Sequence, residues 1–135
     1  MDEKEMIQNA IKAREKSYAP YSKFHVGAYL ETASGKFYEG CNIENASYGA
    51  TNCAERTAFF KAVSEGERNF VRIAIVGGGE NSDLEVCPPC GICLQVMREF
   101  CNPESFEIIL GTEDNPEKFL LKDLLPKGFG PDNLK

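Results

Sequence analysis

Two cysteine motifs in this chain carry chemistry. Cys87-Pro-Pro-Cys90-Gly-Ile-Cys93 contains two overlapping Cys-x-x-Cys pairs, and Cys53-Ala54-Glu55 places a thiol two residues before a carboxylate. Spacing alone does not choose which pair in the first motif would bind a metal. Cys90 and Cys93 fall at the start of a helical pattern, where a step of three residues puts both sulfurs on one face. A helix N-terminus also offers partial positive charge and free N–H groups that favour thiolates. Cys87 precedes two prolines in extended chain, so Cys90 and Cys93 are the expected pair and Cys87 a bystander thiol. Cys53 opens a second helical pattern, capped by Thr51 or Asn52. Three thiolates with an open fourth position make a catalytic zinc site, and four make a closed structural one. An acid at a helix start is common for dipole reasons alone. Beside a metal ligand, however, Glu55 is placed to hold the proton of an activated water.

The elements that must position these residues are legible from periodicity. Met6, Ile7, Ala10, Ile11 and Ala13 form a helical stripe ending before Pro20. His25–Glu31 alternates, with Val26, Ala28 and Leu30 on one side, and Ser34-Gly35 turns it into Lys36–Gly40 as a hairpin. Residues 42–52 are small and polar and read as a long functional loop. From Cys53, Ala54, Ala58 and Ala62 recur at steps of four until Gly66. Val71–Val76 is a buried strand and Gly77–Glu85 a loop, with Gly77-Gly78-Gly79 a flexible turn and not a phosphate loop. A helix over Cys90–Phe100, a strand over Phe106–Leu110 and a short one at Phe119–Leu121 complete the pattern. The expected fold class is α/β: a three-layer α/β/α sandwich with a mixed five-stranded sheet, residues 1–135 forming one domain.

Composition narrows the partners. Lys+Arg 15 against Asp+Glu 21 leaves a net charge of -6 over 135 residues, which disfavours nucleic acid and anionic membrane surfaces. No apolar run approaches a membrane span, and Met1-Asp-Glu-Lys-Glu lacks signal-peptide character. The expected compartment is the cytoplasm, where the six cysteines are thiols or metal ligands. Cys41 and Cys101 read as small apolar fillers, and His25, the one histidine, is assigned no role.

Cys-Ala-Glu followed by Pro-Cys-x-x-Cys matches the established zinc-deaminase signature with a cysteine as first ligand. The chain resembles the small homotetrameric cytidine deaminases over nearly its whole length. The resemblance runs through Tyr18-Ala-Pro-Tyr-Ser-Lys-Phe24-His-Val-Gly-Ala28, Gly40-Cys-Asn42-Ile-Glu44-Asn-Ala46-Ser-Tyr48, Cys53-Ala-Glu55-Arg56-Thr-Ala, Pro89-Cys90-Gly-Ile-Cys93, Gln95-Val-Met-Arg-Glu-Phe100 and Leu124-Leu-Pro-Lys-Gly-Phe129-Gly-Pro.

It implies one Zn²⁺ per subunit on Cys53, Cys90 and Cys93, proton transfer by Glu55, ribose hydroxyls on Asn42 and Glu44, and a pocket wall at Phe24. It further implies a homotetramer whose sites are completed by a neighbour's Ala46, Tyr48 and Phe129. The substrate would be a nucleoside, cytidine or deoxycytidine, taken up in pyrimidine salvage without an organic cofactor. The family often carries an Arg directly after the last zinc cysteine, where this chain has Leu94. That departure leaves Arg56 to tune the thiolates' charge, with Arg98, one turn beyond Leu94, as a partial substitute. The alternatives are a related amino-pyrimidine or nucleoside-antibiotic deaminase, and a structural zinc module closed by Cys53, Cys87, Cys90 and Cys93, which leaves Glu55 unexplained.

Overall fold

The computed structural model describes residues 1–135. Asp2 starts the first helix, α1 (Glu3–Arg14), through a reciprocal cap: its carboxylate accepts from the Glu5 N–H at 2.8 Å, and the Glu5 carboxylate accepts from the Asp2 N–H at 3.3 Å. Strands β1 (Phe24–Thr32) and β2 (Phe37–Cys41) form the expected hairpin, followed by α2 (Ala54–Ser64), β3 (Phe70–Gly79), α3 (Gly91–Phe100), β4 (Glu107–Thr112), β5 (Asn115–Leu120) and a short α4 (Leu121–Leu124).

The five strands form one sheet in the order β2-β1-β3-β4-β5, antiparallel except for the parallel β3–β4 pair. On one face Met6, Ile7 and Ala10 of α1 pack with Ala74, Val76 and Ile109. On the other, Ala54, Ala58, Phe59 and Ala62 of α2 and Cys93, Leu94 and Met97 of α3 pack with Ala28, Leu30, Ile73, Ile75 and Ile108. The molecule is therefore the expected α/β/α sandwich around a mixed five-stranded sheet. The alanines of α2 set its distance from the sheet, and Gly40 in β2 lets it approach further: a Cβ there would lie 2.3 Å from the Ala54 carbonyl oxygen. No helix is long and apolar enough to cross a membrane.

Two boundaries differ from expectation. Gly77–Gly79 is not a turn but the end of β3, paired with Val26, His25 and Phe24 of β1. Three glycines weaken strand propensity, yet here they answer to crowding: a Cβ on Gly77 would fall 2.8 Å from Cys87 Sγ, and one on Gly78 2.9 Å from the Asp83 carbonyl oxygen. The last strand is also longer than Phe119–Leu121, because it lies at the sheet edge, where Pro116 and exposed polar residues are tolerated.

The register explains why the cysteine motifs meet. Gly27 pairs with Cys41 and Val26 with Gly77, so the end of β2, the start of β1 and the end of β3 lie at one end of the sheet. From that end the chain runs through residues 42–52 into α2 and through residues 80–90 into α3. Both helices thus begin beside it, on the same face.

Candidate active site

Cys53 is the N-cap of α2 and Cys90 that of α3; neither sulfur makes a capping hydrogen bond. Cys90 and Cys53 therefore sit one step earlier than expected, outside the first helical turn, with Cys93 inside it. The Sγ atoms of Cys53, Cys90 and Cys93 all lie within 4.8 Å of one another, Cys53 and Cys90 at 3.9 Å. Tetrahedral zinc with Zn–S bonds of ~2.3 Å separates its sulfurs by about 3.8 Å. Cys87 lies outside this cluster, so the structure does not build a four-thiolate sphere.

Charge at the cluster favours a cation held by thiolates. Arg56 Nη2 donates to Cys53 Sγ at 3.3 Å. The Cys53 thiol is held down at about 5, first by the hydrogen bond from Cys93 and also by that from Arg56, against its burial. Cys93 is pushed up as the partner that keeps the shared proton, with burial adding to the effect. Arg56 Nε is buried with no partner, a donor left over at the rim of an anionic group. The donor set and spacing fit zinc, whose binding would displace the remaining thiol protons.

Glu55, on the first turn of α2, is 5% exposed. Its carboxyl is raised to about 7, chiefly by burial, with the Cys53 charge adding to the rise. It faces a cavity of about 200 Å³ lined by Val26, Asn42, Thr51, Asn52, Cys53, Ala54, Glu55, Cys87, Pro88 and Cys90. A carboxyl that titrates near neutrality, next to a metal site in a cleft, has the properties of a general acid–base. The Cys87 thiol on the same wall is pushed up to about 12 by burial, so it remains protonated and uncharged.

The substrate-side expectations divide. Asn42 lies on the cavity with its amide held by three contacts. Oδ1 accepts from the Val26 N–H at 2.9 Å and from Ser17 Oγ at 2.5 Å, while Nδ2 donates to the Phe24 carbonyl at 2.8 Å. One N–H of Nδ2 stays free for a ligand oxygen. Glu44 accepts from the Tyr21 and Ser22 N–H groups at 2.9 and 3.1 Å and from the Ser22 hydroxyl. The Ser22 hydroxyl is the main cause holding its carboxyl below the usual range. Phe24 does not line the cavity itself, but its ring edge and Cys87 Sγ fill the space that a side chain at position 77 would take.

Ala46, Tyr48 and Phe129 are exposed and line no part of the cavity, Tyr48 at 77% and Phe129 at 57%. The tail is fastened to α3 by Gln95 Nε2, which donates to the Phe129 carbonyl at 2.7 Å. Arg98 does not substitute for the family's usual Arg after the last zinc cysteine: it turns to the tail and pairs with Asp132 at 3.6 Å, while Leu94 is packed in the core. The sequence marks Thr51 and Asn52 only as caps, and Val26 only as a strand residue. Their place on the cavity follows from standing next to Cys53 and from the inward phase of β1. Pro88 carried no signal.

Residues 1–107 match the family model of the cytidine and deoxycytidylate deaminase zinc-binding region. The chain belongs to this family. The cytidine deaminase of Sporosarcina psychrophila is 46% identical over 134 residues, covering 99% of this chain and 96% of that one. The cytidine deaminase of Halalkalibacterium halodurans is 47% identical over 135 residues, 99% and 98% of the two chains. The crystal structure of the cytidine deaminase from Burkholderia pseudomallei superposes with a TM-score of 0.86 at 46% identity, over 96% of this chain and 100% of that one. Zinc is this family's metal, and Cys53, Cys90 and Cys93 form the one cluster of three or more potential ligands in the fold.

Proposed function

We propose that this protein deaminates cytidine, and deoxycytidine with it, by hydrolysis to the uridine nucleoside and ammonia. The observation that carries the reading is Glu55: a buried carboxyl with a pKa of about 7, at the edge of a three-sulfur cluster and on the wall of an open cleft. A structural zinc module has no use for such a group. Cys53, Cys90 and Cys93 would hold the zinc, which when bound would supply a water activated for attack near neutral pH. Glu55 takes the proton of that water as it adds to C4 of the base. It passes that proton to ring N3, then takes the proton of the new C4 hydroxyl and passes it to the departing amine as the C4 carbonyl forms, so that its carboxyl ends as it began. Arg56, through its hydrogen bond to Cys53 Sγ, offsets the excess negative charge of three thiolates. Asn42, on the cavity wall, and Glu44, outside its lining, hold the ribose hydroxyls, and Phe24 backs the pocket from beside Gly77 and Cys87. The acidic balance offers no basic groove for a polynucleotide, which favours a free nucleoside and a place in pyrimidine salvage in the cytoplasm.

The same reading includes a homotetramer with shared sites. A cavity of about 200 Å³ is below the ~300–1,000 Å³ usual for a site that encloses a small ligand. Residues with no burial partner in one chain, Tyr48 and Phe129, are the supply for the missing wall. The test is cytidine loss and ammonia release by purified, zinc-loaded protein, with mass in solution measured in parallel. The expected results are stoichiometric uridine and ammonia, loss of activity on chelation, and four chains per particle. A zinc-loaded protein inert towards cytidine would refute the activity, and a fully active monomer the shared site.

A further inference from the structure

The one histidine of the chain lies behind Asn42, and the hydrogen bonds between them have a forced direction. The Val26 N–H can only donate and the Phe24 carbonyl can only accept, so they fix which end of the Asn42 amide is Oδ1 and which is Nδ2. Oδ1 only accepts. The second contact to it, from Ser17 Oγ at 2.5 Å, therefore consumes the single Ser17 hydroxyl hydrogen. His25 Nδ1 stands 3.0 Å from the same Oγ, and with no hydrogen left on that oxygen the imidazole must be the donor. Nδ1 carries the hydrogen whether the ring is neutral or charged. Nε2 faces Glu80 Oε1 at 3.6 Å.

The group is also held in place. His25 sits in β1 opposite Gly78. Arg14 of α1 clamps this corner, donating from Nε to the His25 carbonyl at 2.8 Å and from Nη2 to the Gly78 carbonyl at 3.0 Å. We infer that His25 and Ser17 are positioning residues for sugar recognition: a relay from His25 Nδ1–H through Ser17 Oγ–H to Asn42 Oδ1 locks the amide so that the remaining Nδ2–H points at a ribose hydroxyl. This rests on the proposed role of Asn42 in holding the sugar. Donation into Oδ1 also polarises the amide and strengthens the free N–H as a donor.

The relay is tested first without any substitution. Because His25 is the only histidine, ¹⁵N NMR of the imidazole in untagged protein reads one residue, and the neutral ring should be the Nδ1–H tautomer. A neutral Nε2–H tautomer would overturn the relay. In kinetics, Ser17→Ala and His25→Phe should each raise the KM for cytidine about three- to tenfold, the worth of one hydrogen bond, with kcat within about twofold. His25→Gln, which can present an N–H to Ser17, should recover most of the loss. On whichever of 2′-deoxycytidine and 3′-deoxycytidine lacks the hydroxyl that Asn42 meets, the same variants should match the parent. Unchanged KM in both variants, or an equal loss on every substrate, would overturn the positioning role. A zinc-loaded parent that leaves cytidine intact would instead refute the deaminase reading and the sugar role with it, while the tautomer still reports on the relay itself.

Discussion

Replacing Glu55 by Gln in the metal-free protein isolates what its burial costs. The folded-state carboxyl titrates at about 7 against an ordinary 4.5, mainly because it is 5% exposed. Below about pH 4.5 the folded and unfolded chains are both protonated there and the group adds nothing. Between 4.5 and 7 the folded chain keeps a proton that the unfolded chain has released, so stability falls as pH rises through that window. Above 7 the full penalty stands. Each pKa unit is worth about 1.4 kcal/mol, which makes the penalty on the order of 3 kcal/mol. The Gln amide brings its own cost of burial, about 1–3 kcal/mol where unpaired, but that cost does not vary with pH. The quantity to read is therefore the change in ΔΔG between two pH values.

Urea unfolding of chelated parent and Glu55→Gln at pH 4.5 and pH 8 supplies that change. The variant should gain on the order of 3 kcal/mol relative to the parent between the two, a figure that includes the coupling of the Glu55 carboxylate to the Cys53 charge. Stability curves that run parallel across the window would refute the claim that Glu55 is a desolvated carboxyl. In the zinc-loaded enzyme the same substitution should keep the metal and lose at least the ~10²–10⁴-fold typical of general acid–base catalysis.

Metal analysis should find zinc lost in Cys53→Ala, Cys90→Ala and Cys93→Ala but kept in Cys87→Ala; a depleted Cys87 variant would reassign the ligands. Arg56→Gln removes the hydrogen bond to Cys53 Sγ and should ease zinc release to a chelator by about tenfold or more, since bonds to charged groups are worth about 1.5–3 kcal/mol. Arg56→Lys should recover part of that loss, and an unchanged chelation midpoint in Arg56→Gln would contradict the role. Gly77→Ala drives a methyl to 2.8 Å from Cys87 Sγ and should cost about 1–3 kcal/mol in denaturant unfolding. Adding Cys87→Ala should return part of it, and strict additivity of the two would show that they do not meet.

Local rules made most of the fold legible. The 3.6-residue stripe of α1, the alanine spacing of α2 and the alternation of β1 each encode one buried face, and the order of elements then leaves one layered arrangement. The stretch Gly77–Gly79 reads as a turn in the sequence alone because its glycines answer to a neighbour distant in sequence. What demands them is the return of residues 83–87 across the strand, and composition suggests a flexible turn whenever that contact is unseen. The edge strand β5 reads short for a related reason: Pro116 and its charged neighbours carry no buried face, so no period marks them.

The two halves of the candidate site were unequally legible for a physical reason. The proposed metal ligands and proton-transfer group sit at two helix starts, and such starts impose short fixed spacings, Cys-x-Glu and Cys-x-x-Cys, that survive in one dimension. Sugar recognition imposes no such spacing. Asn42 is held by Ser17, Phe24 and Val26, three residues from two segments, and His25 reaches it only through Ser17. The partner of each polar atom is set by sheet register and by where α1 ends, so none of these residues announces its task alone. The outer wall is less legible still. Tyr48 and Phe129 stay exposed in the folded chain while Gln95 fastens the backbone of Phe129, and single exposed apolar side chains do not by themselves demand a covering surface. The argument for the proposed second copy rests instead on the small cavity that one chain encloses, and it becomes visible only once that chain has folded.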